Sequence, residues 1–248
     1  MAHRFPGRRM MAMPHEFDLL VCEIQRHLEF LKETGCEGVF LGEKSIDIIA
    51  SWEKADAGKP DHAAPVSLGE VLDEYRHCRR CGLADSGVAS VFGAGPENAP
   101  LMLIGYFPEP EDAAAKHPYS GKQGDLLTRI IQAMALDRDS VYICHTVKCI
   151  PPKGRPPNKW EARACRHHLV RQVRAVKPSV ICLLGESAAD VLLGGEGPFS
   201  LRRGKFHDFE GIPVMSTHDP AYVLAHESAK RPVWEDMQKI MKKLEGPA

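Results

Sequence analysis

Four short runs in this 248-residue chain are almost continuously apolar: 101–105 (LMLIG), 141–147 (VYICHTV), 180–185 (VICLLG) and 212–216 (IPVMS). Each is bounded by Gly, Pro or polar residues. Strands with one wet face alternate apolar and polar residues, so runs without alternation belong to strands buried on both faces. Between the runs lie helix-period stretches at 125–135, 159–176 and 186–193, and Asn158 followed by Glu161 forms a capping-box pattern ahead of the second. Strands separated by helices pair in parallel with the helices packed over both faces, which predicts an α/β fold. In such sheets ligands sit outside the carboxyl ends of the strands. The residues just after Ile104, Ile143, Leu184 and Met215 are therefore where chemistry is expected.

The N-terminal region reads differently. Residues 15–34 carry Phe17, Leu20, Val21, Ile24, Leu28 and Leu31 at spacings of three and four, with Gly35 as a stop, which predicts one amphipathic helix. Residues 51–67 (SWEKADAGKPDHAAPVS) have low apolar content, two prolines and no period, as a linker does. The expected organisation is a helical extension over 1–50, a linker over 51–67 and the α/β domain over 68–248. With 44% hydrophobic and 26% charged residues the chain can bury a sizeable core. Neither a run of eighteen apolar residues nor the apolar core of a signal peptide is present. The expectation is a cytoplasmic monomer with no membrane partner.

Eight cysteines in a reducing compartment point to metal binding or burial rather than to disulfides. Cys78 and Cys81 form C-x2-C after a helical stretch at 68–77, Cys149 follows the second apolar run, and Cys165 lies on a helix sixteen residues further on. Four thiolates gathered by a fold can hold zinc or an iron–sulfur cluster, and the spacing does not separate the two. Cys22, Cys36, Cys144 and Cys182 sit in helix or strand contexts that suit burial. The net charge of -1 hides an uneven distribution: residues 148–177 hold nine basic side chains against Glu161 alone, and Arg202, Arg203 and Lys205 form a second cluster. Such clusters neutralise phosphates and release counterions when nucleic acid binds; a solvated helix face is the plainer alternative. The candidate nucleic-acid contacts are Lys148, Lys153, Arg155, Lys159, Arg202 and Arg203.

Taken in order, these pieces resemble the iron–sulfur uracil-DNA glycosylases, family 4 of the uracil-DNA glycosylase superfamily. The resemblance spans about 68–244 and rests on C-x2-C-x-L at 78–83, VFGAGPENAPLMLIG at 91–105 and P-Y-S-G-x-x-G-x-L-L at 118–127. VYICHTVKCIPP at 141–152, Cys165, LLG at 183–185 and PAYVL at 220–224 complete it. It implies a three-layer α/β/α sandwich with a central four-stranded parallel sheet, and a structural 4Fe-4S cluster held by Cys78, Cys81, Cys149 and Cys165. It further implies DNA, single- or double-stranded, as the partner, and hydrolysis of the N-glycosidic bond of a flipped-out base as the reaction. Extrusion is needed because the target atoms are inaccessible within the stack.

That chemistry requires an aromatic platform, polar groups that read the base edge and stabilise its departing anion, and a carboxylate that orients water or steadies the sugar cation. Tyr119, in Pro118-Tyr119-Ser120-Gly121, holds the family's aromatic position. The family asparagine that grips the uracil edge falls on His145, which changes the donor and acceptor pattern offered to a base. The family histidine falls on Asp219, with His218 one residue earlier, so either side chain can take that place. The family's water-activating glutamate falls on Tyr106, in a loop reading Gly105-Tyr106-Phe107-Pro108-Glu109. Asp125 stands where related family 5 enzymes carry an aspartate, and Glu109, Glu111 and Asp112 lie close in sequence. The expected site has Asp125 and His145 in catalysis, with Gly105, Tyr106, Phe107, Pro108, Tyr119, His145, His218 and Asp219 around the base. The expected substrate is uracil or a related deaminated base such as hypoxanthine. The competing expectation is a DNA-binding or damage-sensing protein whose pocket has lost catalysis.

Overall fold

A computed structural model of the chain describes residues 24, 26, 67–85, 89–194 and 197–246. The expected N-terminal helix and all of the linker but Ser67 lie outside the described residues, except that Ile24 and Arg26 are helical and exposed. The elements are, in order, α1 (Leu68–Arg76), α2 (Gly82–Asp85), β1 (Leu101–Gly105), α3 (Pro110–Ala115), α4 (Gly121–Ala133), β2 (Tyr142–His145) and α5 (Lys159–Val176). They continue as β3 (Val180–Leu184), α6 (Glu186–Leu193), α7 (Phe199–Arg202), β4 (Phe206–Phe209), β5 (Ile212–Thr217), α8 (Pro220–Ala225) and α9 (Lys230–Leu244). Among the described residues no helix is long and apolar enough to cross a membrane.

The four apolar runs form β1, β2, β3 and β5, which pair in parallel in the order β2-β1-β3-β5. The expected four-stranded parallel sheet is thus present, and β4 extends it as an antiparallel edge strand beside β5. That fifth strand escaped the sequence reading because Phe-His-Asp-Phe alternates exposed and half-exposed positions and carries no continuous apolar run. The open side of β2 is lined by residues 89–95. Val91 N–H donates to the Lys148 carbonyl at 2.8 Å, and Ala94 and Ile143 exchange backbone bonds of 2.9 and 2.7 Å.

Successive strand residues point to opposite faces, and each face is covered. Leu101, Leu103, Ile143, Val180 and Cys182 pack with Leu127 and Ile131 of α4 and with Val233, Met237 and Ile240 of α9. Met102, Ile104, Tyr142, Ile181 and Leu183 pack with Leu169 and Val173 of α5 and Ala188 and Leu192 of α6. The capping box starts α5 as its sequence requires: Asn158 Oδ1 accepts from Glu161 N–H at 2.9 Å and the Glu161 carboxylate accepts from Asn158 N–H at 2.8 Å. Helix α4 begins at Gly121 rather than at Asp125, with Ser120 extended ahead of it. Gly-Lys-Gln-Gly carries no apolar period, so the sequence pattern starts a turn late.

Helix α5 also buries His168 edge-on against Tyr75 of α1, with ring centroids 5.9 Å apart. Neither ring nitrogen has a hydrogen-bond partner among the described residues. Burial, reinforced by the neighbouring His167, pushes its pKa from 6.5 down to about 4. Between those two values the unfolded chain binds a proton that the folded chain refuses, so stability present above about pH 6.5 is lost as pH falls toward 4, by up to about 3 kcal/mol. The unfolding midpoint of a His168→Phe variant should therefore fall less steeply than that of the parent as pH is lowered from about 7 to about 4. Equal slopes in thermal denaturation would contradict this account of His168.

Candidate active site

The carboxyl ends of β1 and β2 stop side by side, with Gly105 in register with His145. Thr146 N–H donates to the Gly105 carbonyl at 2.8 Å and Val147 N–H to the Tyr106 carbonyl at 2.9 Å, and the Thr146 hydroxyl bonds the same Tyr106 carbonyl at 2.7 Å. Across the sheet the ends of β3 and β5 are joined by Gly185 N–H donating to the Thr217 carbonyl at 2.8 Å. Together these ends frame a cavity of about 490 Å³, within the ~300–1,000 Å³ usual for small-molecule sites. Tyr106, Phe107, Tyr119, His145, His218 and Asp219 line it, as expected from the sequence, and Glu109, Asp112, Gln123, Phe199 and Tyr222 join them. Gly105 lies behind the lining: a Cβ there would run into the Tyr119 hydroxyl, so only glycine lets that ring approach. Pro108 is buried and does not face the cavity.

Tyr119 has φ +53°, a left-handed conformation that bulky residues avoid. Arg138 holds it there. Its guanidinium donates to the carbonyls of Pro118 and Tyr119 at 2.8 and 2.9 Å, and to the Thr128 hydroxyl at 2.8 Å. Gly124 completes the nest, since any Cβ on it would overlap the Tyr119 carbonyl. The Tyr119 ring stacks on the His145 ring, with centroids 4.8 Å apart and planes 22° off parallel. Its hydroxyl donates to Asp219 Oδ2 at 2.9 Å. Burial, and then the nearby Asp219 charge, raise the Tyr119 pKa well above its usual value, so the phenol remains a donor. Burial also raises the pKa of Asp219, whose Oδ1 accepts from Ala221 N–H at 2.8 Å and caps α8.

His145 is fully enclosed, and burial followed by the charge of Lys148 pushes its pKa down to about 3. The imidazole is therefore neutral at physiological pH. Its Nδ1 has no hydrogen-bond partner among the described residues, and its Nε2 lies 3.7 Å from Asp112 Oδ2. With a neutral ring that approach is dipolar rather than an ion pair. Asp112 is buried, and its two oxygens accept from Ser120 N–H at 2.6 Å and Glu109 N–H at 3.1 Å. Its position one turn into α3 carried no sequence sign of burial, and Arg138 lay in a polar turn without a motif.

Two expectations need correction. Asp125 is exposed on α4 and does not line the cavity, because the helix turns Gln123 and not Asp125 toward it; the carboxylates that do are Glu109, Asp112, Glu186 and Asp219. The sequence left the choice between Asp219 and His218 open: Asp219 accepts from the Tyr119 hydroxyl, and His218 also lines the cavity. It stands in the rim, stacked on Tyr222 at 4.6 Å and edge-on to Phe199 at 5.8 Å, and Tyr222 stacks in turn on His226 at 4.2 Å. Lys148 is buried, with its ammonium on the His145 carbonyl at 2.6 Å, and has no surface to offer a phosphate.

Of the other basic candidates, Arg155 forms two bonds of 2.8 and 2.6 Å to Glu161, Arg202 pairs with Asp190 at 2.8 Å, and Arg203 pairs with Asp236. Lys153 and Lys159 are exposed and form no ion pair among the described residues.

Cys78, Cys81 and Cys149 are half-buried, Cys165 is buried, and none is in a disulfide. Cys81, Cys149 and Cys165 pack around Leu83 and Val147. Burial first, and then the neighbouring Cys165, Cys81 and Cys78, push the Cys149 pKa up to about 12, so the four sulfurs share one neighbourhood. As the side chains stand, no group of three among the described residues is arranged to hold a metal ion. The donor set nevertheless fits an iron–sulfur cluster or zinc, being four soft thiols with a backbone N–H, that of Lys148, already on Cys165 Sγ at 3.4 Å.

Comparison with known proteins agrees with this arrangement. The family described as "Uracil DNA glycosylase superfamily" matches residues 92–241. A type-4 uracil-DNA glycosylase of Saccharolobus solfataricus is 34% identical over 188 residues, covering 72% of this chain and 87% of that protein. One of Thermotoga maritima is 33% identical over 177 residues, 69% of this chain and 92% of that protein. One of Archaeoglobus fulgidus is 31% identical over 182 residues, 70% of this chain and 92% of that protein. With the sheet, the strand-end cavity and these matches in agreement, the chain belongs to the uracil-DNA glycosylase superfamily.

Proposed function

We propose that this protein hydrolyses the N-glycosidic bond of a deaminated base, uracil or a relative such as hypoxanthine, extruded from DNA into the cavity. The observation that carries this reading is His145, a neutral imidazole sealed in the cavity wall with Nδ1 unpartnered. Leaving such an atom buried without a partner costs about 1–3 kcal/mol, a cost that a polar base edge relieves. The name of the relatives, type-4 uracil-DNA glycosylase, supports uracil as the first substrate to test.

In this reading the stacked Tyr119 and His145 form the aromatic wall, and His145 hydrogen-bonds the base edge. Asp112 and Asp219 supply the negative charge that favours a cationic sugar in the transition state. Lys153 and Lys159 contact phosphates. Cys78, Cys81, Cys149 and Cys165 hold a 4Fe-4S cluster, which when bound cross-links the segment before α2, the segment after β2 and helix α5. That cross-link fixes the chain just beyond His145.

A second reading, binding without catalysis, is favoured by Tyr106 at the position of the family glutamate and by the distance of Asp125 from the cavity. Oligonucleotides carrying uracil, hypoxanthine or xanthine, single- and double-stranded, separate the two when incubated with the protein and treated with alkali. The glycosylase reading predicts strand scission that His145→Ala lowers by about 10²–10⁴-fold. It predicts a loss of at least about tenfold for Asp219→Asn, while Asp125→Ala stays within about twofold of the parent. Salt-sensitive DNA binding with no scission on any substrate would establish the second reading instead.

The cluster has its own test. Anaerobically purified protein should show broad visible absorption and contain about four irons per chain, both lost in Cys165→Ala. Stoichiometric zinc without visible absorption would contradict it.

A further inference from the structure

Lys148 has no exposed surface. Its ammonium donates to the His145 carbonyl at 2.6 Å and also reaches the Cys144 thiol. No carboxylate among the described residues pairs with it, although every other buried or half-buried basic side chain discussed above has one or a set of carbonyls. A cation removed from water with one carbonyl and one neutral thiol for company is strongly unfavourable unless an anion lies nearby.

The groups around it point to that anion. The backbone N–H of Lys148 donates to Cys165 Sγ at 3.4 Å, and the next residue is Cys149. Four neutral thiols would leave the cation uncompensated. Four thiolates outnumber the positive charge of a 4Fe-4S core, so the loaded centre is an anion beside a buried ammonium.

We propose that Lys148 is the counter-ion of the cysteine-held cluster and, through the same ammonium, the strut that fixes the strand end carrying His145. It is a positioning residue: it touches neither the base nor the sugar, and it couples the charge of the cluster to the backbone of the cavity wall. This inference rests on the cluster reading above and would lapse with it, so the two are tested in sequence on one set of proteins.

The full-length protein is purified anaerobically beside Lys148→Arg, which keeps the charge, and Lys148→Met, which keeps the length and loses it. The parent spectrum is read first: no iron–sulfur absorption there overturns the cluster itself. With the cluster present in the parent, iron content and midpoint reduction potential are measured in all three. Removing a positive charge disfavours the more reduced and more negative cluster. Lys148→Met should therefore hold its cluster at a potential shifted to more negative values, or lose it while Lys148→Arg retains it. A fully loaded Lys148→Met with a parental or more positive potential would overturn the proposal. So would equal loss of iron in both variants, because the side chain would then act by shape and not by charge.

Discussion

Parallel strands covered on both faces leave only their ends for chemistry, and the described fold is organised by that constraint. Because α4 and α9 close one face and α5 and α6 the other, the carboxyl ends of β1, β2, β3 and β5 become the floor of the cavity. The end of β2 carries His145, and the loops that leave the other ends carry Tyr106, Gly185 and His218, into the same space. The two faces also divide the labour. Helix α4 starts from the Tyr119 loop and α5 carries Cys165, so platform and cysteine group are braced from opposite sides of one sheet.

Tyr119 and Asp219 are tied by a single hydrogen bond. A phenol buried at position 119 needs an acceptor, and the carboxylate at position 219 provides it at 2.9 Å. An imidazole at 219 would offer a different partner, and a phenylalanine at 119 would leave Asp219 short of a donor. His145 is placed differently: its ring gains a stacking partner in Tyr119 but keeps a nitrogen with no partner among the described residues. Unsatisfied buried polar atoms concentrate where a ligand completes the bonding.

Much of the architecture was legible because it depends on local patterns. Unbroken apolar runs identified four strands, and the Asn158–Glu161 pair fixed the start of α5 to the residue. Strand β4 and helix α9 were not read: the first is an edge strand with mixed exposure, and the second spreads Val233, Met237 and Ile240 among eight charged or polar neighbours. In the site, residues tied to a strand end were readable, since topology alone puts His145 and Asp219 at the carboxyl edge. Residues whose placement depends on the rotation of a helix were not, and Asp125 and Asp112 exchanged importance for that reason. Lys148 was misplaced because a basic cluster in sequence does not reveal which member turns inward.

The central claim is that the strand-end cavity receives a base extruded from DNA, and a complex tests it directly. A crystal structure of the protein with an oligonucleotide carrying 2′-fluoro-2′-deoxyuridine, in which the glycosidic bond resists cleavage, should place the uracil ring inside the cavity, within hydrogen-bond reach of His145 and in contact with Tyr119. A uracil left stacked between its neighbours while the protein is bound, with the cavity containing only solvent, would contradict it.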